Sequence, residues 1–125
     1  MGKRLRKLRS LLGKIGNQRG RMNEQRFSKA ISDFPDKPSW WLSFRLATFE
    51  EDQKGIDVVV TTDVGKLFLQ IKSSLRGKKK FENKQRRFPI AVVVIYDKEA
   101  NETIYQKAVE AIGLIREQIL KDRNS

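Results

Sequence analysis

Gly55-Ile56-Asp57-Val58-Val59-Val60-Thr61-Thr62-Asp63-Val64-Gly65-Lys66-Leu67-Phe68-Leu69-Gln70-Ile71-Lys72-Ser73 is the stretch on which the reading of this 125-residue chain turns. Both halves are rich in the β-branched and apolar residues that fill strands, and they flank a short polar connection, Asp63-Val64-Gly65. The pattern predicts strands over residues 56–62 and 66–73 folded into a hairpin. In the second strand Leu67, Leu69 and Ile71 fall on one face, so Gln70 and Lys72 share the other, roughly 7 Å apart along the chain direction. Asp57 opens the first strand. A lysine between apolar neighbours at a strand end requires a partner, and Asp57 is the obvious one.

Upstream, Trp40, Leu42, Phe44 and Leu46 alternate with polar or smaller residues, which reads as a strand with one buried face. The two tryptophans then point to opposite faces, Trp40 to the core, with the role of Trp41 left open. A helix is expected over residues 22–33, stopped by the stretch Phe34-Pro35-Asp36-Lys37-Pro38, and it carries Glu24 in its first turns. Residues 50–55 read as a polar turn in which Glu50, Glu51 and Asp52 are solvated. Downstream, residues 77–87 form a basic loop or short helix. The apolar run from Ile90 to Tyr96 reads as a strand covered on both faces. Asn101 is a good N-cap for a long terminal helix whose core face is Ile104, Ala108, Ile112, Ile115 and Ile119. The order of elements predicts an α/β fold around one mixed sheet. Residues 21–125 form a single domain in this reading. Residues 1–20 form a basic arm, with Leu5, Leu8, Leu12 and Ile15 as a narrow apolar stripe on a helix that Gly16 ends.

The chain has neither cysteine nor histidine, which removes disulfide frameworks, zinc fingers, thiol nucleophiles and imidazole chemistry. Any catalysis rests on carboxylates, amides and lysine. The basic N-terminal segment lacks the apolar stretch of a signal peptide, and no run reaches the ~20 residues of a membrane helix. The expectation is a soluble, cytoplasmic protein with no membrane association; a transit peptide is the alternative reading of the Arg-rich segment.

The formal net charge of +12 is unevenly placed. Residues 1–23 carry eight Lys or Arg and no acid, and residues 76–87 carry seven against a single acid, while the remainder is close to neutral. Cations concentrated in this way are the footprint of a polyanion binder, because each one that meets a phosphate releases condensed counterions. DNA is the expected partner. The cations expected to contact it are Lys3, Arg4, Arg6, Lys7, Arg9, Arg19 and Arg21 in the first segment, and Arg76, Lys78, Lys79, Lys80, Lys84, Arg86 and Arg87 in the second.

Phosphodiester cleavage needs a hard cation, a positioned water and a group that stabilises the developing charge. Asp57 offers carboxylate oxygens and Gln70 an amide oxygen to Mg²⁺ or Mn²⁺, which favour oxygen ligands. Lys72 is placed to orient water or steady the phosphoryl group, and Glu24 to complete the metal shell from the preceding helix.

Gly55-Ile56-Asp57, followed after a hairpin by Gln70-Ile71-Lys72-Ser73, resembles the PD-(D/E)xK nuclease superfamily, and is similar to Holliday-junction resolvases and Mrr-like endonucleases. The resemblance spans residues 20–97, including the upstream helical glutamate. It implies a restriction-endonuclease-like fold with an α-β-β-β-α-β core, a divalent metal held by Asp57, Glu24, Gln70 and the backbone carbonyl of Ile71, and metal-dependent endonuclease action on DNA, branched or junction DNA included. Glu24, Asp57, Gln70 and Lys72 are the catalytic residues it implies. Two positions depart from the pattern: Gln70 stands where an acid is commoner, and Ile56 where the family name has proline. The rival reading is a nucleic-acid-binding protein of the same fold with a dead site. A third, resting only on the first helix, is an adaptor for anionic membranes. Cutting both strands of a duplex would call for a homodimer.

Overall fold

The structure, a computed structural model, describes residues 22–84 and 87–124. The basic arm, including Lys3, Arg4, Arg6, Lys7, Arg9, Arg19, Arg21 and its expected apolar stripe, lies outside the described residues, as does Arg86. A first helix, α1, covers residues 22–32. The elements that follow are β1 (Trp41–Leu46), α2 (Phe49–Gln53), β2 (Val58–Thr62), β3 (Gly65–Lys72), α3 (Leu75–Glu82), β4 (Ile90–Val94) and α4 (Asn101–Arg123). Strands β1, β2 and β3 form an antiparallel meander, and β4 joins it parallel to β3 after the α3 crossover, giving a four-stranded mixed sheet in the order β1-β2-β3-β4. The α/β architecture expected from the sequence is observed.

The hairpin forms where its turn chemistry puts it. Thr62 pairs with Gly65, leaving Asp63 and Val64 as the loop. The Thr62 hydroxyl donates to the Gly65 carbonyl at 2.8 Å and accepts from the Val64 N–H at 3.2 Å. Gly65 takes a φ of +112°, a conformation that side chains disfavour.

One face of the sheet carries the core. Val58, Val60, Leu67, Leu69, Ile71, Ala91, Val93 and Ile95 pack there with Phe27, Ala30 and Ile31 of α1 and with Ile104, Ala108 and Ile112 of α4. The terminal helix thus buries the face its periodicity predicts, with Ile115 and Ile119 partly buried at the margin. Alternation sends Val59, Phe68, Gln70 and Lys72 to the opposite face, which α3 covers through the buried Phe81.

Three expectations are corrected. The buried tryptophan is Trp41, 5% exposed, and Trp40 is half-buried. The cause is a register shift between Trp41 and Ser43: Trp41 pairs with Thr62 and Phe44 with Val60, so the extra residue, Leu42, is pushed out and 61% exposed. Trp40 packs at the margin of the core against Gly113 of α4, with the Arg116 guanidinium 5.5 Å from its ring. Second, residues 49–53 are helical, because Thr48 and Glu51 form a reciprocal capping box. Third, the cap position of α4 is Ala100; Asn101 is the first helical residue, and its amide donates to Asp33 at 3.1 Å, tying α4 to the end of α1.

Candidate metal centre

β3 outruns β2. Its last ladder partner on that side is Val58, opposite Leu69, so Gln70, Ile71 and Lys72 project beyond the neighbouring strand. A buried N–H left there without an acceptor costs free energy. Asp57 resolves this: its Oδ2 accepts the Ile71 N–H at 2.8 Å, its own N–H bonds to the Leu69 carbonyl, and its carbonyl accepts from Ala47. N–H and C=O of one strand residue project from the same edge, so the Ile71 carbonyl also faces the space that Asp57 occupies.

Two further carboxylates reach this place from different elements. Glu24 comes from α1 and Asp52 from α2, and one oxygen of each lies within 4.8 Å of one oxygen of Asp57 and of each other. α1 is anchored by Phe27, whose ring meets Phe44 edge-on at 6.3 Å, and by Arg26, which donates to the Tyr96 and Glu99 carbonyls. α2 is held by its capping box and by a forked pair of bonds from Arg45 to Glu51 at 2.6 and 2.9 Å. That guanidinium holds the Glu51 carboxyl well below the usual carboxylate range. The chain then folds back, with Gly55 N–H on the Asp52 carbonyl and Ile56 N–H on that of Glu51.

Burial pushes the Asp57 carboxyl up to about 7 from an ordinary 3.8, against the lowering effect of the Ile71 N–H; the charges of Glu24 and Asp52 and a hydrogen bond with Asp52 raise it further. Three converging carboxylates, one of them 8% exposed, need positive charge to ionise together.

Of the other expected site residues, Gln70 lies on β3 opposite Val92 of β4, and its buried Oε1 has no hydrogen-bond partner. Lys72, expected to pair with Asp57, places its ammonium 5.2 Å from the centre of the Phe81 ring. Gly55 also abuts that ring: a Cβ there would come within 3.1 Å of Phe81, and its φ is +87°. Phe81 therefore wedges between the turn that leads into Asp57 and the side chain of Lys72. Ser73 is exposed, and Ser74 caps α3 by accepting the Gly77 N–H at 3.0 Å.

The converging donors, Glu24, Asp52 and Asp57, are all oxygen. Such a set fits Mg²⁺ or Mn²⁺ and gives a soft thiophilic ion nothing to bind. Asp52 and Phe81 are the residues that sequence reasoning passed over. The Thr48-x-x-Glu51 spacing was the available signal for the former, because a capping box turns a solvated acidic run into a helix that aims one of its acids.

Of the second basic segment, Arg76, Lys79, Lys80, Lys84 and Arg87 are exposed and Lys78 is half-buried, on α3 and the connection after it. No helix among the described residues is long and apolar enough to cross a membrane. Comparison with protein-family models, with curated proteins and with solved structures finds no match.

Proposed function

We propose that this chain is a metal-dependent endonuclease of the PD-(D/E)xK type, acting on DNA through a site built from Glu24, Asp52, Asp57, Gln70 and Lys72. The observation that carries the reading is the convergence of three carboxylates from three elements at the end of the strand pair bearing the Asp57 and Gln70-Ile71-Lys72 motif. The α-β-β-β-α-β order around a mixed sheet supports the restriction-endonuclease-like form of the fold, with α2 and α4 as additions. Asp52 also answers the departure at Gln70, since a third carboxylate from α2 makes up the charge that a neutral amide withholds.

In this reading Glu24, Asp52 and Asp57 would hold a divalent cation, with the Ile71 carbonyl and Gln70 as neutral donors. The cation supplies positive charge against the charge that builds on the phosphoryl group in the transition state. The chain's own residues do the rest. Asp57 stays fixed by the Ile71 N–H within the acid cluster. Lys72 brings an ammonium on a stem held against Phe81, able to donate to a phosphate oxygen or to orient the attacking water. The cations of α3 and of the connection after it hold the DNA backbone without reading its bases.

The test is cleavage of plasmid, single-stranded, flap and four-way DNA with Mg²⁺ or Mn²⁺ against a chelator. Metal-dependent cutting of at least one substrate is expected. DNA binding with no cutting under any of these conditions would replace the nuclease by the non-catalytic binding protein.

A further inference from the structure

The edge of β4 that no described strand pairs with forms the floor of a groove between α3 and α4. Two adjoining cavities make it up, of about 550 Å³ toward Phe88 and about 390 Å³ toward Tyr96, and Lys78, Val92, Ala111 and Leu114 line both. In the parallel ladder Ile95 gives its N–H to Lys72, so alternate residues turn the other way and the N–H and C=O of Val92 project into the groove. At the Tyr96 end, Val94 has its carbonyl capped by Lys107, which is also ion-paired with Glu99. The walls are apolar where Leu75 and Leu114 stand 50% and 62% exposed. The Phe88 end is cationic, with Lys78, Lys84 and Arg87 against Glu82.

We infer that this groove seats a single strand of nucleic acid. An unpaired, apolar strand edge invites another chain to pair with it, but a second copy of a chain carrying +12 meets a rim of its own sign. A polynucleotide brings the opposite charge. Its bases suit the rest of the groove, because their faces stack on aromatic and apolar walls whatever their sequence, and Phe88 and Tyr96 stand one at each end. The seat is also directed. Val94 pairs with Lys72, so the Tyr96 end of the groove lies at the end of the sheet where Gln70, Ile71 and Lys72 run past β2. A strand lying along β4 is thereby led toward the proposed nuclease site. That delivery rests on the nuclease reading; the seat itself does not.

The experiment is fluorescence anisotropy of labelled oligo-dT, oligo-rU and a duplex, each about twelve nucleotides long, with the full chain in a chelator. Leu114→Glu places a negative charge on an exposed wall position that leaves the core untouched, and Tyr96→Ala removes one stacking face. Lys66→Glu, on the β2–β3 hairpin, makes a larger charge change at a distance. The expected result is a loss of about tenfold or more in single-strand affinity for Leu114→Glu and about fivefold for Tyr96→Ala, each exceeding the loss on duplex and the loss caused by Lys66→Glu. Tighter binding of oligo-dT identifies a DNA strand as the occupant, and tighter binding of oligo-rU an RNA strand. Equal losses for Leu114→Glu and Lys66→Glu overturn the seat, as does displacement of oligo-dT by polyglutamate as readily as by unlabelled oligo-dT. A chain that binds strands here yet never cuts would fail the nuclease reading alone. One that cuts while Leu114→Glu binds like the parent would fail the groove alone.

Discussion

Asp57 serves two ends that pull its charge in opposite directions. As the acceptor for Ile71 N–H it completes the sheet, and as one of three crowded carboxyls it resists ionising, with its titration lifted to about 7. The fold therefore holds that proton more tightly than the unfolded chain does. The stabilisation this gives the metal-free protein is complete below about pH 4 and lost as the pH rises through 7, an effect on the order of 4 kcal/mol at most. Asp57→Asn keeps an acceptor for Ile71 but carries no charge. Its melting temperature without metal should exceed the parent's near pH 8 and match it near pH 5, and added Mn²⁺ should leave it unmoved while raising the parent's. Metal affinity of the parent should climb about tenfold per unit between pH 5 and 7 and then level, as calorimetry would read. In the proposed site Gln70→Glu adds a fourth carboxylate, so it should lower the metal-free melting temperature and gain more than the parent from Mg²⁺. Lys72→Ala should abolish cleavage while costing only about 0.5–1 kcal/mol of stability, the worth of its contact with Phe81.

Short helix α2 is the element on which the site's third acid depends. Its five residues are too few to hold together without their cap and the Arg45–Glu51 clamp. Thr48→Ala should loosen it at a cost of about 0.5–2 kcal/mol, Arg45→Ala should loosen it too, and each should weaken metal binding several-fold with the core unaffected. Ile112→Ala, in the middle of α4, should do the reverse: about 2–5 kcal/mol of stability lost to a cavity, with metal affinity unchanged in the fraction that remains folded. The contrast marks what could be read in advance. The hairpin and α4 repeat one simple period over enough residues to be legible, and of the residues the hairpin singled out, Asp57 lies in the acid cluster. α2 is shorter than any periodicity window. The bulge at Leu42 exchanges the roles of Trp40 and Trp41 through pairing with β2, a non-local cause that alternation within one strand does not contain. The partner of Lys72 was misread for a similar reason: Phe81 arrives from α3, nine residues later and across the face of the sheet.

Along the sequence, the excess positive charge and the three-carboxylate cluster are separate. Glu24, Asp52 and Asp57 converge at the end of β2 and β3, whereas the excess positive charge belongs to residues 1–23 and to α3 with its flanking connection. Binding and chemistry should consequently separate. DNA affinity should fall steeply with salt, its logarithmic slope reporting the number of phosphates engaged, and replacing Lys78, Lys79 and Lys80 by alanine should reduce that slope by about 2–3 and weaken all sequences alike. A flat salt response would remove phosphate contacts from the account.

Single-turnover cleavage of a labelled DNA substrate, followed as Mg²⁺ is titrated into the parent and into Asp57→Asn, bears most directly on the proposed centre. The parent rate should rise from nothing in chelator to a plateau. Asp57→Asn should stay at least about a hundredfold below it at every metal concentration, while binding the same DNA with parental affinity and melting no lower than the parent. Cutting by Asp57→Asn at the parental rate, or cutting by the parent in chelator, would contradict the assignment of the three-carboxylate cluster as the metal site of a nuclease.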